Sequence, residues 1–218
     1  MKRRSSCRPL TAALAIPAVV TTLVCTAGET ASPSFDCSRA QGKAQLLVCS
    51  DPQLAELDRE IARLYSLASK SPQLNAKQRA RLRAYQIGWI RGRDDCWKAD
   101  GLRACVLDNY TMRIHELRRD YPEARVDATD SLSRGPFTVT CEAISAPLGI
   151  TFIATDPPLA CLEAQGSFYT LAQTPTASGA RYAASAGEDE VSLWNKGDEA
   201  RVILPGHPAA DCRVGPMP

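Results

Sequence analysis

Apolar residues recur at two different periods along this chain of 218 residues, and the change of period divides it in two. From Ser38 to about Tyr121 the period is helical. Leu54, Leu57, Ile61, Leu64 and Ala68 stand three or four apart, which gathers them on one face of a helix. Asp51 followed by Pro52 opens that helix, an N-cap with proline at the first helical position. Asn75 and Gln78 have capping-box spacing and open another, which carries Leu82, Tyr85 and Trp89 along one side. After Gly101, a last face runs through Leu102, Val106, Tyr110, Arg113 and Leu117. A short first helix over Ser38 to Val48 completes the set. Short connections predict antiparallel neighbours in a small bundle.

Beyond Gly135 the helical period is gone. Phe137 to Cys141, Ile150 to Ile153, Ser167 to Leu171, Val191 to Trp194 and Ala200 to Leu204 are short β-prone runs separated by Pro and Gly clusters. A stretch of this kind about 80 residues long suits an antiparallel sheet closed into a barrel, which leaves no exposed edge. Between the halves, Arg125 to Gly135 is rich in Asp, Ala, Thr, Ser and Arg and reads as a linker. The expected fold class is therefore multidomain α + β. A small disulfide-stapled helical bundle over 33–124 and a linker over 125–135 precede a small antiparallel β-barrel over 136–218.

The first 27 residues stand apart. Lys2, Arg3, Arg4 and Arg8 precede an apolar run from Leu10 to Val24, too short for a membrane span and laid out like a secretory signal. Cys25 follows Thr22-Leu23-Val24, where a lipoprotein signal would have a small residue before the cysteine, so release into the periplasm is favoured over anchoring. Export makes disulfides the natural state of the remaining cysteines. Cys37, Cys49, Cys96 and Cys105 give two bridges in any of three connectivities; Cys141, Cys161 and Cys212 leave one thiol over. Their spacings do not fit a zinc ribbon, and no cofactor is expected.

Charge separates the halves further. Residues 33–134 carry a net +4, whereas residues 135–218 carry four basic against nine acidic residues. An acidic β-domain suits a basic partner. The two histidines, His115 and His207, lie in different halves, and no hydrolase elbow, phosphate loop or metal motif is present, so an enzyme is not expected. Arginines in the helical half read as solvated faces alternating with acids, and export argues against a nucleic-acid partner.

Two short motifs carry a resemblance. Ser178-Gly179-Ala180-Arg181-Tyr182 and, later, Lys196-Gly197-Asp198-Glu199-Ala200 match S-G-x-x-Y followed by K-G-x-x-A. With Cys141 and Cys212 flanking them, residues 136–212 resemble the MliC family, membrane-bound inhibitors of c-type lysozyme. The resemblance implies a Cys141–Cys212 disulfide and a loop that plugs the lysozyme cleft, where one carboxyl is kept protonated and the other ionised. In that reading the Ser178 hydroxyl bonds the catalytic carboxyls and Gly179 lets the backbone come close. Lys196, followed by Gly197, faces an acidic group, and Tyr182, beside Arg181, braces the loop or packs on the enzyme. The plain alternative is two turns and a core tyrosine. The sequence departs from the family in Asn195, where Thr is common, and in a longer Ala183 to Glu190 stretch with an acidic tip.

The first half resembles the LprI family through Phe35-Asp36-Cys37-Ser38, Cys49-Ser50-Asp51-Pro52, Leu57-Asp58, Trp89, Arg93-Asp94, Cys96, Cys105 and Tyr110. That implies a small exported helical domain, with lysozyme inhibition ascribed to some members. Asp51 reads as a cap, Trp89 as core and Arg93-Asp94 as a structural ion pair. The expected partner is c-type lysozyme, with a membrane involved only through lipid on Cys25. The alternative is an envelope or peptidoglycan-binding module that inhibits nothing.

Overall fold

The computed structural model describes residues 32–126 and 131–217. The expected signal segment, with Cys7 and Cys25, lies outside the described residues, as do four positions of the expected linker. Four helices come first: α1 Gly42–Ser50, α2 Pro52–Ser69, α3 Ala76–Asp94 and α4 Leu102–Asp120. Short 3-10 turns stand at Cys37–Arg39, Asp95–Lys98 and Pro122–Arg125. The helix starts follow their caps. The Asp51 carboxylate accepts from the Leu54 amide at 3.2 Å, and Asn75 and Gln78 close a reciprocal capping box. Leu54, Leu57, Ile61, Leu64 and Ala68 are buried together on α2, against Val106, Tyr110, Ile114 and Leu117 of α4. Cys37 bonds Cys49, tying the entering chain to the end of α1. Cys96 bonds Cys105 across the connection into α4.

Eight strands follow: β1 Ser133–Cys141, β2 Leu148–Ile153, β3 Leu159–Ala164, β4 Ser167–Thr174, β5 Ala180–Ala186, β6 Asp189–Lys196, β7 Glu199–Ile203 and β8 Ala210–Pro216. Each pairs antiparallel with the next, and β8 returns to β1, so the barrel is closed. Cys141 and Cys212 face each other across that β1–β8 seam and are joined. Three strands exceed the five β-prone runs. Ala and Ser dilute the β signal in Ala180–Ala186, Leu159–Ala164 has no alternation because both its faces are covered, and Pro216 and Gly215 blur Ala210–Pro216. Ser133, Arg134 and Gly135, read as linker, lie in β1.

The two halves share a core. Leu148, Ile150, Ala160, Leu162 and Leu171 point into the barrel, while Ile153 and Leu159 point out and join the helical core beneath α2 and α4. Polar contacts frame this joint. The His115 ring of α4 is hydrogen-bonded through Nε2 to the Glu163 carboxylate on β3 and through Nδ1 to the Thr151 hydroxyl on β2, each at 2.9 Å. Arg119 reaches the other Glu163 oxygen at 2.7 Å. Arg118, 1 % exposed, donates to the Gly135 carbonyl, and Ser133 donates to Glu60 of α2. Gln53 bonds Thr155 and the Pro157 carbonyl in the β2–β3 loop. Gly149 makes room for the approach: a Cβ there would stand 3.1 Å from the His115 ring.

Candidate functional site

Strand direction decides which loops can act together. With neighbours antiparallel throughout, the β2–β3, β4–β5 and β6–β7 connections share one rim of the barrel, and the β5–β6 hairpin tip lies at the other. Ser178 sits in the β4–β5 loop and Lys196 at the end of β6. The Ala180–Asn195 pair is the last of the β5–β6 ladder, so residues 179 and 196 are the next positions beyond it. The longer, acidic Ala183 to Glu190 stretch therefore projects from the opposite rim and leaves this one unobstructed.

Gly179 locks the two loops together. Its φ is +68°, and a Cβ built on it would stand 2.3 Å from the Asn195 carbonyl oxygen and 3.2 Å from the Lys196 Cβ. Only a residue without a side chain lets the loop lie on the end of β6. Trp194 holds the same loop from below, its indole donating to the Ser178 carbonyl at 2.8 Å. The Ser178 hydroxyl is left on an exposed residue, and among the described residues Lys196 has no carboxylate within ion-pair distance. Gly197, with φ +61°, turns the chain from β6 into β7 just beyond it.

Tyr182 and Arg181 have other surroundings. Both lie within β5. Tyr182 is 8 % exposed, points into the barrel and packs on Phe152 with ring centroids 5.4 Å apart; burial pushes its hydroxyl pKa up. It belongs to the barrel core, on the strand that follows the loop. Arg181 points outward, donating to the Thr174 hydroxyl at 3.1 Å and pairing with Glu190. The structure thus brings Ser178, Gly179, Lys196 and Gly197 to one rim and sets Arg181 and Tyr182 behind it. Sequence reasoning missed Trp194, whose role depends on a pairing register that no local signal encodes. The Asn195 side-chain oxygen is buried and, among the described residues, has no hydrogen-bond partner.

In the helical half, the residues that carry the LprI resemblance have structural partners among the described residues. Asp51 caps α2 and pairs with Arg103 at 2.7 Å. Arg93 is clasped by Asp94 at 2.7 Å, with Asp58 and the Tyr110 hydroxyl beyond. Trp89 lies edge-on to Tyr110 and donates to the Asn109 carbonyl. Thr151, His115 and Glu163 follow the hydroxyl–imidazole–carboxylate order of a hydrolytic triad, but Thr151 and His115 have no exposed surface, so no substrate reaches the hydroxyl. Among the described residues no group of His, Cys, Asp and Glu is arranged to hold a metal, and no helix is long and apolar enough to cross a membrane.

Residues 139–209 match the family model MliC, membrane-bound lysozyme-inhibitor of c-type lysozyme, and residues 37–126 match that of lysozyme inhibitor LprI. The first runs from the last residues of β1 to the β7–β8 connection and the second covers the four helices. Comparison with curated proteins and with solved structures gave no match.

Proposed function

With an LprI-type helical segment joined to an MliC-type barrel in one chain, we propose that this protein inhibits c-type lysozyme in the bacterial envelope by seating the Ser178 and Lys196 rim in the enzyme's cleft. One observation supports the reading: Gly179 lies on the Asn195–Lys196 backbone, which holds the chain at Ser178 next to the chain at Lys196 on one rim. A lysozyme cleft offers the complementary chemistry, one protonated and one ionised carboxyl. The Ser178 hydroxyl can accept from the first and donate to the second. The Lys196 ammonium adds a charge-assisted contact that strengthens as water is expelled. No bond is made or broken, and both family names describe inhibitors, not catalysts.

Little of the binding energy goes into ordering the loop, because Trp194 and Gly179 already hold it. The acidic balance of the barrel half favours encounter with a basic enzyme, so association should slow as salt is raised. The test is inhibition of a c-type lysozyme by the full chain and by Ser178→Ala and Lys196→Ala variants of unchanged melting temperature. Each substitution should weaken inhibition by roughly ten- to a hundredfold, the worth of one hydrogen bond to a charged group. Inhibition indifferent to both would move the activity to the helical half. A parent that does not inhibit would leave an envelope-binding module.

A further inference from the structure

We propose that the outer face of α1 and α3, on the side of the bundle away from the barrel, docks on an anionic lipid bilayer. α3 leaves only Leu82 and Arg93 fully buried, and α4 carries the packing against the strands. From Ala76 to Arg93 there are six basic residues and no acid, and α1 adds Lys43, again with no acid. The arginines of this helix do not alternate with acids as those elsewhere in the half do. Among the described residues, Lys43, Lys77, Arg83 and Arg91 are exposed and have no carboxylate partner. Exposed large apolar residues stand there as well: Leu46 on α1 and Ile87 and Ile90 on α3, with Trp97 exposed in the turn that follows.

The arrangement on α3 is specific. Arg83, Ile87 and Arg91 follow at steps of four and Ile90 is three beyond Ile87, so two branched apolar side chains lie between two free guanidinium groups. Trp97 is 55 % exposed at the end of the same helix. Basic residues interleaved with aliphatic and aromatic ones are what an interfacial helix needs: the charges meet lipid phosphates and the apolar groups enter the acyl boundary. The opposite flank of α3 is different. Arg81 stacks on Tyr85 and faces Glu116 and Asp120 of α4, so the proposed surface excludes it.

The chain joins the fold beside this face. Arg59 of α2 holds the Ser32 carbonyl, Ser34 is held by Asp58, and the Phe35 ring lies under the Arg93 guanidinium. Only seven residues separate the apolar run ending at Val24 from Ser32, a reach of about 25 Å at full extension. A segment held in the bilayer ahead of Ser32 would keep this face within about 25 Å of the lipid and raise its effective concentration there.

The experiment is partitioning of the full chain onto phosphatidylcholine vesicles with and without phosphatidylglycerol. The parent should prefer anionic vesicles, lose that preference in 0.5 M salt, and show a blue-shifted Trp97 emission absent from Trp97→Phe. Arg83→Glu with Arg91→Glu should reduce the preference at least about tenfold, with melting temperature and lysozyme inhibition in solution unchanged. Arg83→Gln with Arg91→Gln should fall between. A preference that survives the charge reversal, or capture by soluble anionic polysaccharide with none by vesicles, overturns the proposal.

Discussion

A methyl group on Gly179 would stand 2.3 Å from a backbone oxygen that belongs to a paired strand, so neither partner can yield cheaply. Positive φ adds its own cost to any other residue. Gly179→Ala should therefore lower stability by about 2–4 kcal/mol and spread the rim, weakening inhibition more than Ser178→Ala does. Gly187→Ala, also at positive φ but in open space on the far rim, should cost about 1 kcal/mol and leave inhibition intact, as melting curves and inhibition assays would reveal. Asn195→Thr removes an unpartnered buried amide oxygen and should stabilise the barrel by about 1 kcal/mol in urea titration. Cys161 makes the last point at this scale. It is fully buried on the outer face of β3 beneath α4, flanked by Thr151 and Thr170, and burial pushes its thiol pKa up. It should ignore thiol reagents until the chain unfolds.

Elements follow from their own residues where a cap or a period writes them, and less where packing decides. The Asp51 and Asn75 caps fix two helix starts, and five β-prone runs are strands. The strands at Leu159–Ala164 and Ala180–Ala186 escape local reading for opposite reasons, one covered on both faces and one built largely of Ala and Ser. Residues 178–182 read as one loop, yet the chain enters β5 at Ala180, which turns Tyr182 inward. The Cys141–Cys212 bond ties the first strand to the last across a sequence separation of 71. Replacing both by Ala should cost about 4 kcal/mol, far more of the barrel's stability than any single surface change, with the loss visible in its denaturant midpoint.

At the scale of the whole molecule, the joint between halves is packed and polar at once. Ile153 and Leu159 complete the helical core from the barrel side, so the two halves should melt in a single calorimetric transition. The hydrogen bond from His115, aided by Arg119, holds the Glu163 carboxyl down at about 2, against its burial. A carboxyl lowered in the folded state stabilises it fully only above the unfolded value of about 4.5, and that contribution is lost as pH falls toward 2. Stability should therefore decline through this window in the parent and less steeply in Glu163→Gln, compared at matched salt. Arg118→Met should be among the most damaging substitutions, lowering stability by about 3 kcal/mol, because the carbonyl of Gly135 and the groups around it lose a buried donor.

The residues by themselves determined the order of the two architectures, the caps, the apolar faces and the motif pair, because each depends on neighbours a few positions away. They also supplied six paired cysteines, although only the fold chose the 37–49 and 96–105 pairings over the other connectivities. Tertiary structure alone decided that Ser178 and Lys196 share a rim, because that depends on strand register across a closed sheet. It likewise decided that Trp194 and Asn195 hold the loop, and that the stretch read as a linker runs into β1 under a buried arginine. His115 meets Glu163 across 48 positions of chain, and Gln53 meets Thr155 across 102. Contacts at such separations leave no periodicity in the sequence, since the chain between them fixes neither distance nor direction until both halves have folded and packed.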